Sequence, residues 1–263
     1  MQWLWPVVVR SFRRHLTYRT AAIAGFVTNL FFGVFNAYVL MAFYDQQQSV
    51  NGLSLQAAIT YTGLSQAMIV HMAIFGWYDL MRTVYQGEIA TDLLKPMNFF
   101  GFWLAQDVGR ALAGFLLRGL SVMVVYALIF DISYPNSLGQ WLALLISFVL
   151  AYLLGFGYRF VVNLAAFWSP DARGIGRFAF MTVMLFSGFL MPLRLFPDWA
   201  RQAMEFTPFP YMVNTVSEVY LGLLTGPALL QALLVQAAWA LGLVLLCQWV
   251  LARAMHRLVI LGG

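Results

Sequence analysis

The sequence predicts an all-α integral membrane protein with six transmembrane helices, read as one domain over residues 1–263. Three observations carry this. Hydrophobic residues make up 62% of the chain and charged residues only 10%, against roughly 25% charge in soluble domains, and mean hydropathy is +0.78. Six apolar runs are long enough to cross a hydrocarbon core, which takes about 20 helical residues. The cations fall overwhelmingly on one side of those runs.

The elements follow in order. Residues 3–16 alternate apolar side chains with Arg10, Arg13 and Arg14, the pattern of an amphipathic helix lying in the cytoplasmic membrane surface. The first span covers 21–43 and carries no charge. The second covers 55–77, the third 111–130 with Arg118 inside it, and the fourth 141–168 with Arg159 inside it. The fifth covers 175–193 and the sixth 228–251. Residues 194–226 are too polar and proline-rich to cross. Pro197, Pro208 and Pro210 interrupt any long helix there, so short non-spanning helices at the outer surface are expected. Trp199, Phe206, Phe209 and Tyr211 in that stretch suit the membrane interface. The chain shows no internal repeat or composition break.

Orientation comes from the cations, fourteen of which are arginine; Lys95 is the only lysine. With a cytoplasmic N-terminus, Arg10, Arg13, Arg14, Arg19, Arg82, Lys95, Arg110, Arg173, Arg177, Arg253 and Arg257 face the cytoplasm, and only Arg194 and Arg201 face outside. Both ends are then cytoplasmic and the localisation is a cell (inner) membrane. Trp3, Trp5, Trp103, Trp168, Trp199 and Trp249 fall near the interfaces, as an aromatic belt requires. A net charge of +5 raises nucleic acid as a partner, but the arginines form no single basic, aromatic-laced patch. The opening residues reach Arg10 too early for a cleavable signal peptide.

Chemistry is thin. Cys247 is the only cysteine, and three scattered histidines give no zinc spacing. Lys95 is followed by Pro96, so no Gly-Lys-Ser/Thr phosphate loop exists. Any ATP hydrolysis belongs to another chain. Five acids lie near the cytoplasmic side (Asp79, Glu88, Asp92, Asp107, Asp171), none inside a predicted span.

The longest cytoplasmic stretch, 81–98, joins the second and third spans. Gly87 can break the helix leaving the membrane. Residues 89–94 then form a short helix stopped by Pro96, because the residue before proline disfavours helix. Ile89, Leu93 and Leu94 offer an apolar surface, while Glu88, Asp92 and Lys95 supply charge. A docking element and a solvated connector both fit this pattern. Residues 99–110 are aromatic and amphipathic, apt for the interface.

In this stretch the chain resembles the permease subunits of ABC-2 type transporters. They carry a Gly-x-Ile/Leu-x-x-x-Leu-x-Lys/Arg-Pro-like run after the second span, matched by Gly87, Ile89, Leu93, Lys95 and Pro96. Ser187-Gly188, then Pro192, Pro197 and Pro208-Phe209-Pro210, are similar to the family's fifth span and extracellular re-entrant helices. The ending from Arg257 to Gly262-Gly263 resembles the branch in which two such subunits are often encoded beside one ATPase. The resemblance implies an exporter built from two permeases, identical or homologous, on a dimer of ATP-binding subunits that hold ATP and Mg. It makes 88–96 the coupling helix and Pro192, Pro197, Pro208 and Pro210 an outer gate. No cofactor is implied in this chain.

Polar residues inside the spans have two readings each. Arg118 and Arg159 either snorkel to lipid phosphates or pair with Asp79, Glu88 or Asp107, or else they form a cationic vestibule for an anionic amphiphile. Structure or lipid anchoring is favoured, because snorkelling at this depth is common. Gly25, Asn29, Gly33 and Asn36 form one small-and-polar stripe, which must face protein or a watery pathway. Thr62 and Gln66 form a shorter stripe, and His71 reads as a hydrogen-bonded core histidine. A membrane-embedded lipid-modifying enzyme would need convergent His, Asp or Ser groups, and a secondary transporter would need inverted repeats with a central acid; neither pattern is present.

Overall fold

The computed structural model describes residues 4–45, 47–73, 75–95, 97–169 and 171–257. Trp3, Pro96 and the Gly262-Gly263 end lie outside the described residues. In chain order the elements are α1 (Leu4–Thr17), α2 (Arg19–Tyr44), the hairpin strands β1 (Ser49–Val50) and β2 (Leu53–Ser54), α3 (Leu55–Met72), α4 (Asp79–Tyr85), α5 (Ile89–Leu93), α6 (Phe99–Gly114) and α7 (Leu120–Ile129). After these come α8 (Leu138–Leu164), α9 (Arg173–Phe186), α10 (Asp198–Glu205), α11 (Asn214–Tyr220) and α12 (Gly226–Met255).

Among the described residues, four helices are long and apolar enough to cross a membrane: Arg19–Tyr44, Phe99–Ile129, Leu138–Phe167 and Gly226–Met255. The predicted second and fifth spans differ from these. The second is α3, 18 residues carrying Thr60, Thr62, Ser65, Gln66 and His71 among its buried side chains. Its polar groups are tolerated because protein surrounds it on most sides. The fifth is α9, only 14 residues, about 21 Å at 1.5 Å per residue and short of a ~30 Å core. It ends at Ser187, ahead of Gly188 in a left-handed conformation at φ 83°.

The predicted break between an interfacial segment at 99–110 and a third span at 111–130 is corrected. Helix α6 runs through a π-helical turn, Phe115–Gly119, into α7 as one 31-residue helix. Asp107 and Arg110 therefore lie within an apolar helix instead of ending it. The two residues pair with each other at 2.6 Å and reach partners on α3 and α8, so the helix need not end to balance their charge. Asn98 caps its start, accepting from Gly101 N at 2.8 Å.

The all-α reading also misses the hairpin. Its turn is Asn51-Gly52, at φ 49° and 74°, the dipeptide that supplies two positive φ values to a tight hairpin. The helix leaving α3 stops earlier than Gly87, at Ala73 in a left-handed conformation. Helix α4 follows after a bend and Gly87, at φ 72°, separates α4 from α5.

Helix α1 lies along α6. Ser11 Oγ donates to Gln106 O at 2.6 Å, and a Cβ at Gly109 would sit 2.4 Å from Val8 O. Glycine at that position lets the two backbones touch. At the opposite end of the molecule, Leu40, Tyr44, Leu53, Ala57 and Ala58 form a core that receives Leu195 and Leu221. Residues 194–226 hold α10 and α11, eight and seven residues long.

Candidate functional site

The short helix α5 presents two distinct faces. Ile89 is buried in the core of Trp77, Leu80, Phe99 and Trp103, which corrects the expectation that it shares an exposed apolar surface. Leu94 is 86% exposed and Leu93 37%. Two of its charges are engaged within the chain: Lys95 Nζ donates to Asp92 Oδ1 at 2.5 Å and lies 4.1 Å from the Phe102 ring centre. Glu88 is exposed at the start of α5. An outside partner therefore meets Leu94 and the carboxylate of Glu88, with Asp92 and Lys95 already paired to each other.

The two arginines within the long helices have unlike surroundings. Arg159 is 2% exposed. Its Nη2 donates to Asp107 Oδ2 at 2.6 Å, and its Nη1 donates to Met72 O. Asp107 also accepts from Tyr152 OH at 2.9 Å and from Arg110 Nε at 2.6 Å. Arg110 Nη1 donates to Val70 O at 2.7 Å. Val70 and Met72 lie in the last turn of α3, where carbonyls lack the usual i+4 donor; Val70 O also accepts from Ala73 N at 3.3 Å. One carboxylate thus holds two guanidinium groups over the negative end of a helix, joining α3, α6 and α8. Asn163, one turn on from Arg159, donates to Trp77 O at 2.7 Å and accepts from Met81 N at 3.0 Å. This fixes the bend that leads into α4.

Arg118 sits in the π-helical turn, a rare geometry that recurs at functional sites. Among the described residues it has no carboxylate partner. Its Nη2 donates to Asn29 Oδ1 at 3.3 Å, and Asn29 Nδ2 donates to Gln66 O at 3.4 Å. A Cβ at Gly25 would lie 2.2 Å from Arg118 Cζ, so the guanidinium rests on bare backbone of α2. Thr62 and Tyr126 hydroxyls meet at 3.1 Å one turn further along. Asn36 is half-buried and lies away from this contact. The structure brings Arg118 and Asn29 together and keeps Arg159 apart from both.

His71 is buried and stacks on Phe148 with ring centres 4.0 Å apart. Neither ring nitrogen finds a partner among the described residues, so the expected hydrogen-bonded histidine is instead a stacked one. The four prolines gather at the other end. Pro192 and Pro210 are buried, Pro208 is half-buried and Pro197, which heads α10, is exposed. Asn214 Oδ1 accepts from Leu193 N at 3.1 Å and lies 3.1 Å from Tyr61 OH, which is 2.8 Å from Gly188 O. Arg194 pairs with Glu218 at 2.6 Å. These bonds tie the region to α3 through Tyr61. Asp107, Tyr152, Asn163 and Asn214 have structural roles that the sequence reading did not assign. Asp107 appeared there only as one possible arginine partner, and for the others only proximity in the fold reveals the role.

No curated protein and no solved structure matches this chain. A family model described as ABC-2 family transporter protein matches residues 30–262. The match takes in α5, Arg118, Arg159 and the proline-rich end, though not Gly25 or Asn29, and the chain belongs to the ABC-2 transporter family, a family of multi-pass membrane transport components.

Proposed function

We propose that this chain is the permease subunit of an ABC exporter, forming the substrate path with a second permease, identical or homologous, and driven by a dimer of separate ATP-binding subunits. ATP and Mg are held by those subunits, and no catalytic residue is assigned to this chain. Six crossings place both termini in the cytoplasm of a cell (inner) membrane, with α3 and α9 completing the set through protein-lined and broken passages. Residues 194–226 are then the outer re-entrant cap, with Pro192, Pro197, Pro208 and Pro210 shaping an outer gate. Arg118 and Asn29, with Asn36 further along α2, line the path, and Arg159 supports it from behind.

The observation that carries the reading is the two-faced α5. Gly87, Glu88, Ile89, Asp92, Leu93, Leu94, Lys95 and Pro96 make up the coupling element. Ile89 fastens it to the core, while Leu93 and Leu94 face outward. Buried apolar contacts dominate such interfaces, and rim charges mainly steer. Leu93→Asp with Leu94→Asp is expected to abolish co-purification of the ATP-binding subunit and substrate-stimulated hydrolysis while the permease still inserts. Lys95→Ala is expected to be milder. Normal levels of both readouts in the double variant would place the contact elsewhere. Orientation has its own check: single cysteines at Gln47 and Gln202 should label from outside intact cells, and one at Asn98 should not.

A further inference from the structure

We propose that the cleft between α1, the α4–α5 segment and α6 is a binding site for a phosphate-bearing anion of the kind displayed by phospholipid headgroups. The cleft has a volume of about 740 Å³ and is lined by Arg10 and Arg14 from α1, Arg82 from α4, Lys95 after α5, and Trp103 and Arg110 from α6. Its carboxylates are largely neutralised within the protein. Asp79 pairs with Arg82 at 2.9 Å and Asp92 with Lys95 at 2.5 Å, while Asp107 is shared by Arg110 and Arg159. Glu88 alone lacks a cation, whereas Arg10 and Arg14 both lack a carboxylate among the described residues. The charge left over is positive.

Two buried donors in the lining make this more than a charged surface. Trp103 Nε1 and Arg110 Nη2 have no hydrogen-bond partner in the chain. They stand seven residues apart on α6, two turns along one face. A buried donor without an acceptor costs about 1–3 kcal/mol, and headgroup oxygens would supply acceptors. The source follows from α1, whose exposed arginines and 69%-exposed Trp5 suit a helix lying in the headgroup layer. An anionic lipid there meets Arg10 and Arg14 first. The inference stands apart from the coupling reading, since it requires no ATP-binding subunit.

The test is native mass spectrometry of the full chain in detergent, titrated with dioctanoyl phosphatidylglycerol, with dioctanoyl phosphatidylcholine and inorganic phosphate as separate arms. The expected result is selective retention of phosphatidylglycerol, weakened roughly thirtyfold in Arg10→Ala/Arg14→Ala by loss of two cations. Arg173→Ala/Arg177→Ala removes the same charge at two exposed positions outside the cleft and should leave binding unchanged. Trp103→Phe deletes only the indole donor and should weaken retention several-fold. Binding of inorganic phosphate without phosphatidylglycerol would keep the site and assign it to a soluble anion. Equal losses in the two double variants, or equal retention of both lipids with no phosphate binding, would overturn the proposal.

Discussion

Arg159 and Arg118 share a residue type, an apolar helical setting and a sequence-level description, yet the fold treats them oppositely. Arg159 has a carboxylate, two neighbours that share it and a helix end to cap. Arg118 has one long bond to Asn29, a glycine surface and no carboxylate among the described residues. A charge in an apolar segment must be paired, snorkelling or functional. The first arginine meets that demand inside the protein and acts as a joint between helices. The second leaves its charge unneutralised, which is the condition for meeting an anion from outside the chain.

Breaking the joint should have the larger effect. Arg159→Met leaves Asp107 and Arg110 to rearrange and removes the donor to Met72 O. Loss of one partner of a buried ion pair costs about 3–5 kcal/mol. The expected outcome is a large drop in the thermal midpoint of the purified protein, with little folded material recovered. A midpoint like that of the unmodified chain would mean that the cluster holds nothing together.

Arg118→Ala should separate stability from function. Its single hydrogen bond is long, at 3.3 Å, and contributes about 1 kcal/mol, so the melting midpoint should move far less than in Arg159→Met. Substrate-stimulated ATPase activity of the assembled complex should fall nonetheless. Gly25→Ala sharpens the comparison, because its Cβ displaces the guanidinium from α2 without removing the charge. It should reproduce part of the Arg118→Ala loss. Normal transport in both variants, with only lower expression, would return Arg118 to a structural role and erase the contrast.

Much of this architecture is legible in the sequence because long apolar runs with flanking arginines leave few alternatives. The failures have a common cause. Asp107 and Arg110 look like a helix end, since a lone charge in an apolar run is costly; their partners come from α3 and α8, which periodicity cannot bring together. Ile89, Leu93 and Leu94 look equivalent until the core formed by Trp77, Leu80 and Phe99 claims the first of them. The Asn51-Gly52 turn was readable from local chemistry alone. Asn214 was not, because its role depends on the meeting of Tyr61, Gly188 and Leu193.

The outward leucines of α5 are the point where the proposed function is most exposed to refutation. The buried Cys247 is the only native cysteine, so a Cys247→Ser background allows single cysteines to be placed cleanly. Bifunctional cross-linking in the co-expressed complex should join Leu94→Cys to the ATP-binding subunit and leave Ile89→Cys, in the core, unjoined. A complex in which Leu94→Cys gives no product while Arg13→Cys on α1 cross-links strongly would contradict the account and move the coupling contact to the N-terminal helix.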